Sequence, residues 1–412
     1  MSRRIYLDNA ATSFPKPPAV GEAMARYALE LGAPGRGGYA EAVETKRLID
    51  RCRERVCRFI GGREPRNVVF TLNTTDAMNL AIWGLIGHRL RTTRGPVHVI
   101  TSDLDHNSAL RPLNALVEWC GGAAGGSEGV LGGGRVSQTR VPIDPISGVL
   151  DPEDFRRAIR PETALVVTLH ASNVTGAVQP VAEIGRICRE RGVPFLLDAA
   201  QSLGHVPVDV EAMGVDLLAF PGHKGLLGPT GTGGLYISPG MERRLDPVRQ
   251  GGTGWRSEQE RMPEFLPDKF EPGSHNAVGI IGLSEGVAWL EARGHGAIAD
   301  HERGLMAEML GGLTGANAPA GLRLLGPAEM GQRVGVFSFV HEAVPAAELA
   351  ARLEREHGVL GRAGLHCAPA AHGAMGTGAG GAMRLSVGPF TTVEEVRAAV
   401  RAVGEVCAGA AV

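Results

Sequence analysis

The stretch LLAFPGHKGLLGPTGTGGLYI, residues 217 to 237, sets one lysine, Lys224, between two apolar runs and surrounds it with glycine. Most lysines are solvated surface charges. Here VDLLAF and GGLYIS have strand length and apolar content, and Gly222, Gly225 and Gly228 let the backbone between them pass close to another group. The spacing is not that of an ATP-binding loop, because Gly225, not Ser or Thr, follows Lys224. Nor is it a dinucleotide fingerprint, since the glycines of GPTGTGG lead into a strand and open no helix. A partly desolvated lysine held at a strand end has a depressed pKa and can attack a carbonyl as a free amine.

Such a lysine needs a frame. From residue 67 the pattern alternates: strands over 67–72, 96–101, 164–169 and 193–198, and helices over 76–87, 108–119 and 181–192. The last helix places Ile184, Ile187 and Cys188 on one face. This alternation predicts a mostly parallel sheet covered by helices on both sides, with ligands at the carboxyl ends of the strands. The polar residues that follow those strands are Thr74 and Thr75, Asp105 and His106, Asn173, Asp198 and Gln201, and His223 and Lys224. After about residue 282 come helical stretches over 301–313 and 346–358, shorter strands over 334–340 and 381–387, and a last helix from Thr392, which predict a second, smaller α+β domain. The glycine-rich segment 120–135 reads as a flexible surface insertion.

The 412 residues suffice for two or three domains at roughly one per 150 residues. A hydrophobic share of 43% with 21% charged residues is that of a globular protein, and a formal net charge of −2 gives no reason to expect nucleic acid or an anionic membrane. No apolar run reaches membrane-span length, and the N-terminus meets Asp, Asn and Pro too early for a signal peptide, so the protein is expected in the cytoplasm. The six cysteines form no CxxC pair and no finger-like spacing, so no metal site is expected.

Taken alone, Asp198 also fits a turn or helix cap, His106 a satisfied histidine at a strand end, and Cys367 a small buried residue. Together the strand-end residues describe a ligand with a carbonyl, a ring nitrogen, a π face and a phosphate. Pyridoxal 5'-phosphate needs a lysine for its Schiff base, a carboxylate to keep its pyridinium nitrogen protonated, and donors for its phosphate.

The segments YLDNAATSFPKP, NTTDAMNLA, DHNSALRPL, HASNVTGAVQP, LLDAAQSLGH, GHKGLLGPTGTGGLYI, KFEPGSHN and GLHCAPAAH occur in this order between about residues 5 and 400, apart from the insertion near 120–135. In that order they resemble class V aminotransferase-like enzymes of fold type I, and most of all the cysteine desulfurase and selenocysteine lyase family. The resemblance implies an α/β fold with a mostly parallel seven-stranded sheet in a large domain over 17–282. A smaller α+β domain would be formed by 1–16 and 283–412.

It also implies roles. Lys224 would be the Schiff-base lysine and later move the proton, and Asp198 would pair with the pyridinium nitrogen. Gln201 and Asn173 would bond the phenolate oxygen, with Asn173 also reaching the substrate carboxylate. His106 would stack on the ring and act as acid and base. Thr75 and the amides around Thr74 would hold the phosphate, assisted by His223, while Thr253 would reach the partner subunit's phosphate in a homodimer. Arg384 would clamp the substrate carboxylate, and Cys367 would take sulfur as a persulfide.

The short cysteine segment resembles the second subgroup of desulfurases, whose members commonly pass sulfur to an acceptor protein. Two positions depart from the pattern: Pro221 stands where the family has Ser or Thr for the phosphate, and Asn107 follows His106 where a second His or a Lys is usual. The expected reaction converts L-cysteine to L-alanine. The alternatives are a selenocysteine lyase, another class V lyase or transaminase, and a binding domain that has kept the fold without the chemistry.

Overall fold

The strands arise where short apolar runs are bounded by polar or glycine-rich segments. In this computed structural model, which describes residues 4–33, 35–121, 130–131, 134–256 and 258–409, a short strand β1 (Ile5–Tyr6) precedes those of the central sheet. These are β2 (Val68–Thr71), β3 (Val97–Ser102), β4 (Val130–Leu131), β5 (Val136–Val141), β6 (Thr163–Leu169), β7 (Phe195–Asp198), β8 (Leu217–Pro221) and β9 (Gly233–Ile237). Their order is β2-β9-β8-β7-β6-β3-β5-β4. Strands β8, β7, β6, β3 and β5 run parallel to one another, whereas β9 is antiparallel to both β8 and β2 and β4 is antiparallel to β5. Two reversals turn β2 back into the direction of the parallel set, so its end at Thr71 lies at the same edge as Asp198 and Pro221.

Burial on both faces explains the unbroken apolar runs. Val166, Leu197, Leu218 and Phe220 join one core with Val56, Ile184 and Leu283. Their neighbours Leu165, Val167, Leu196 and Leu217 join the opposite core with Ile82, Leu113 and Leu116. With both faces filled, the strand ends are where polar side chains can gather.

The second sheet contains β10 (Leu322–Leu324), β11 (Val336–His341), β13 (Arg362–Gly364) and β14 (Ala382–Ser386), all antiparallel, in the order β10-β11-β14-β13. Strand β12 (Val359–Leu360) pairs in parallel with β1. Helices His295–Leu313, Ala346–His357 and Val393–Ala408 contribute to the core packed with this sheet. Thr392 starts the last of them with a reciprocal cap to Glu395. Among the described residues no helix is long and apolar enough to cross a membrane, and no group of three or more His, Cys, Asp or Glu is placed to hold a metal.

The sequence reading differs from this fold in the sheet. The described residues give it eight strands instead of seven, because Val130–Leu131, inside the segment read as a surface insertion, pair with β5 as a short edge strand. Strand β5, VSQTRV, also escapes an apolar-run reading: its interior Gln138 is fully buried, with Nε2 donating to Thr101 Oγ1 (2.6 Å) and Oε1 without a partner.

Strand β2 lies at the sheet edge and leads into the site, so its outer backbone groups need partners. Arg53, on helix Ala40–Phe59, donates to Val68 O and forms a two-pronged pair with Glu271 (2.7 and 3.0 Å). Glu271 Oε1 accepts from Phe70 N–H (2.6 Å), and the Arg53 guanidinium lies 4.6 Å from the Phe70 ring centroid. Both charges are buried. Glu271→Ala strands the Arg53 charge and the Phe70 amide, and a loss of about 3–5 kcal/mol is expected in urea unfolding. A loss below about 1 kcal/mol, the range of an exposed pair, would contradict this role.

Candidate active site

Asp198 ends β7 and Lys224 follows β8, the adjacent strand, which brings a carboxylate and an amine to one cavity. Asp198 Oδ1 accepts from Ala200 N–H (2.9 Å), and Oδ2 accepts from Ser108 Oγ (3.5 Å). Burial raises its pKa, opposed by those donors and by Lys224. A second carboxylate, Asp105, is fully enclosed and pushed up to about 7 by burial, although Ser102 N–H (2.7 Å) and Ser102 Oγ (3.0 Å) donate to it. The site thus has a deeply buried acidic side.

The Lys224 loop is held from two directions. Leu227 N–H donates to Lys224 O (2.9 Å) and Gly228 N–H to Gly222 O (2.8 Å). From the N-terminal segment, Ser13 Oγ donates to Lys224 O (2.9 Å), while Thr12 Oγ1 (3.0 Å) and Lys16 Nζ (2.8 Å) donate to His223 O. The glycines allow close approach, though to protein: a Cβ at Gly222 would meet Thr232 Oγ1, and one at Gly225 would meet Leu203 O. Burial lowers the Lys224 pKa to about 8, with Asp198 opposing and Arg384 and Arg362 assisting.

His106 caps helix Asn107–Trp119, and its Nδ1 accepts from Ser108 N–H (3.0 Å) with Ser108 Oγ at 2.9 Å. An Nδ1 that accepts from an amide places the ring proton on Nε2. Burial, followed by the charges of Lys224, Arg111 and Arg384, brings its pKa to about 4, so the imidazole is neutral at pH 7. Ser108 Oγ therefore stands between the histidine and Asp198.

Thr74 and Thr75 open helix Thr74–Thr92, whose cap Asn73 accepts from Asp76 N–H (2.9 Å). Their own amides have no carbonyl within the helix to bond, a disposition suited to an anion. His223 and Pro221 line the same cavity, and His223 Nδ1 is buried without a partner. Gln201 Nε2 donates to Ala10 O (2.9 Å) and Asn173 Nδ2 to His366 O (2.6 Å), which leaves each amide one further N–H.

Arg384 is 3% exposed; its two terminal nitrogens donate to Asp8 Oδ1 (3.0 Å) and Asn173 O (3.2 Å), and its Nε is buried without a partner. Arg362 shares the Asp8 carboxylate (3.1 Å), so two cations rest on one anion. Cys367 is exposed and borders a neighbouring groove with His106, Arg111 and Trp83. Its carbonyl accepts from Asn107 N–H (2.8 Å), so the departure at 107 touches the cysteine loop through its backbone.

The structure gathers Thr74, Thr75, His106, Asn173, Asp198, Gln201, His223 and Lys224 around one cavity and sets Arg384 and Cys367 beside it. Thr253 stands apart, lining a separate cavity with Arg36, Asp50 and His275. Ser108 and Asp8 were not singled out from sequence. The signal for Ser108 was its place two residues after His106 at a helix start; Asp8 carries no local signal, because its partner Arg384 is far along the chain.

The family model described as aminotransferase class-V matches residues 5–399. A probable cysteine desulfurase of Methanothermobacter thermautotrophicus is 34% identical over 95% of this chain and 92% of its own length. One from Aeropyrum pernix is 36% identical over 89% of this chain and 86% of its own. Among solved structures, the apo cysteine desulfurase of Thermococcus onnurineus NA1 superposes with a TM-score of 0.87 at 30% identity, covering 98% of this chain and 95% of that one. The chain belongs to the class V aminotransferase family.

In the protein without added ligand, the Lys224 amine is expected to titrate near its depressed value. Acetylation of residue 224 by acetic anhydride, followed by peptide mass spectrometry, should rise with pH and be half-maximal near about 8. Half-maximal labelling near 10 would contradict the desolvation.

Proposed function

We propose, for this member of the class V aminotransferase family, a pyridoxal phosphate-dependent cysteine desulfurase that converts L-cysteine to L-alanine and takes up the sulfur as a persulfide on Cys367. The observation that carries this reading is the placing of a half-buried amine with a depressed pKa, Lys224, and a buried carboxylate, Asp198, in one cavity with Cys367 beside it. The donor set fits the cofactor. His223 Nδ1 is buried without a partner, Asn173 Nδ2 and Gln201 Nε2 each keep one N–H to donate, and Asp198 is a buried carboxylate suited to a pyridinium N–H.

In this reading Lys224 holds the carbonyl carbon and Asp198 the ring nitrogen. Thr74, Thr75 and His223 hold the phosphate, Gln201 and Asn173 the phenolate oxygen, and His106 lies against the ring. The bound cofactor supplies an electron sink for charge developing on the substrate. Arg384 orients the substrate carboxylate, for which a guanidinium has the matching fork. Lys224, as a free amine, removes the substrate α proton. His106, protonated on Nε2, donates and recovers a proton as a neutral acid.

The Cys367 thiolate attacks the substrate sulfur: the S–S bond forms as the C–S bond breaks, and a proton delivered to the β carbon together with return of the Lys224-held proton to the α carbon completes alanine. A thiol reductant or an acceptor protein then removes the sulfur. Thr253, away from the cavity of its own protomer, supports a homodimer in which it reaches the partner's phosphate. A cytoplasmic location accords with Cys52, Cys57, Cys120, Cys188, Cys367 and Cys407 all being free thiols.

Cys367→Ser is expected to bind pyridoxal phosphate with unchanged absorbance and to form no alanine from cysteine. Undiminished alanine and sulfide production would refute the persulfide role. If the serine variant loses cysteine turnover yet still releases selenide from selenocysteine, the selenocysteine lyase reading gains.

Pro221 lines the cavity but has no hydroxyl to offer the phosphate. A hydrogen bond to a charged group contributes roughly 1.5–3 kcal/mol, so Pro221→Ser is expected to tighten cofactor binding about tenfold or more in an absorbance titration. Equal or weaker binding would show that the hydroxyl has no place at this position.

A further inference from the structure

His366 and Cys367 both have left-handed backbone, with φ of 49° and 57°. Neither is glycine, and each left-handed residue costs of order 1 kcal/mol or more unless its surroundings impose it. The imposing contacts are on both residues. Asn173 Nδ2 donates to His366 O (2.6 Å), Asn107 N–H donates to Cys367 O (2.8 Å), and Ala368 N–H closes the turn onto Leu365 O (2.8 Å).

The His366 ring is fixed as well. Its Nε2 faces Arg362 O at 3.2 Å, an acceptor only, so Nε2 carries the proton and Nδ1 accepts. His372 Nε2 lies 3.4 Å from that Nδ1 and must donate to it. His372 Nδ1 then accepts from Thr377 Oγ1 (2.7 Å). One set of tautomers satisfies the whole run: Thr377 to His372, His372 to His366, His366 to Arg362 O. His372 is fully buried and His366 is 8% exposed. Burial holds both rings neutral, with pKa values of about 4 and about 3.

We propose that His372 is a positioning residue for Cys367, locking the His366 ring through a directed run of hydrogen bonds and so holding the left-handed turn that presents the thiol beside His106. This rests on the desulfurase reading for the identity of Cys367 as the nucleophile. His372 itself reaches neither substrate nor cofactor. Its effect is on the place of the thiol, and a small misplacement of a reacting atom can cost up to about a hundredfold in rate.

The test compares cofactor-loaded native protein with His372→Phe, which keeps the ring shape without the donor, and His372→Gln, which restores an N–H and an acceptor. His372→Phe is expected to lower kcat for alanine formation about tenfold or more, with KM within about twofold and the cofactor absorbance unchanged. Amide hydrogen exchange of the 362–368 peptide should quicken about tenfold, and His372→Gln should keep both readouts within about threefold of native. Should His372→Phe fail to fold, Thr377→Val, which removes the first donor of the run, carries the comparison with a smaller change in the same direction.

Native kcat and native exchange in His372→Phe would overturn the proposal, as would equal losses in the Phe and Gln variants, which would indicate packing alone. If the native protein forms no alanine from cysteine, the desulfurase reading fails. The exchange comparison then decides separately whether His372 holds the turn.

Discussion

A carboxylate and an amine taken out of water at the ends of two neighbouring strands set the character of this site. Burial pushes Asp198 up and Lys224 down, toward a neutral pair, while their mutual attraction works against both shifts. The result is an amine that reaches its nucleophilic form near neutral pH and a carboxylate suited to a cationic ring nitrogen. The nearby arginines add to the lowering at Lys224, and Asp8 offsets part of their charge by pairing with both.

That pair exists because the sheet leaves little other room for polar groups. Strands buried on both faces carry apolar side chains along their length, so chemistry collects where they end. The two reversals through β9 return β2 to the parallel direction, which brings the opening turn of helix Thr74–Thr92 to the edge occupied by Asp198 and Lys224. The Arg53–Glu271 pair closes the outer side of β2 with side-chain partners. The second sheet supplies Arg384 from β14 and, after β13, the turn that carries Cys367.

Much of this was legible in the sequence because it is local. Lys224, Asp198 and His106 each follow an apolar run, and run plus polar residue is a pattern one stretch can display. What was not legible depends on partners distant in the chain. Ser108 gains its meaning from Asp198, 90 residues on, and Asp8 from Arg384, 376 residues on. His372 looks like one residue of a short helix until the fold sets it against His366. Strand β5 escaped because it carries a buried glutamine, Gln138, whose Nε2 finds its acceptor on the neighbouring strand. The glycines around Lys224 allow close approach, and what approaches is the protein's own Thr232 and Leu203.

The central claim is that sulfur leaves the substrate onto Cys367. The most direct measurement is to mix cofactor-loaded protein with one equivalent of cysteine in the absence of reductant and to analyse the cysteine peptides by mass spectrometry. One extra sulfur on the Cys367 peptide, matched by one alanine released, is the predicted result. Alanine released with the Cys367 peptide unmodified, or the sulfur found on another cysteine, would contradict it.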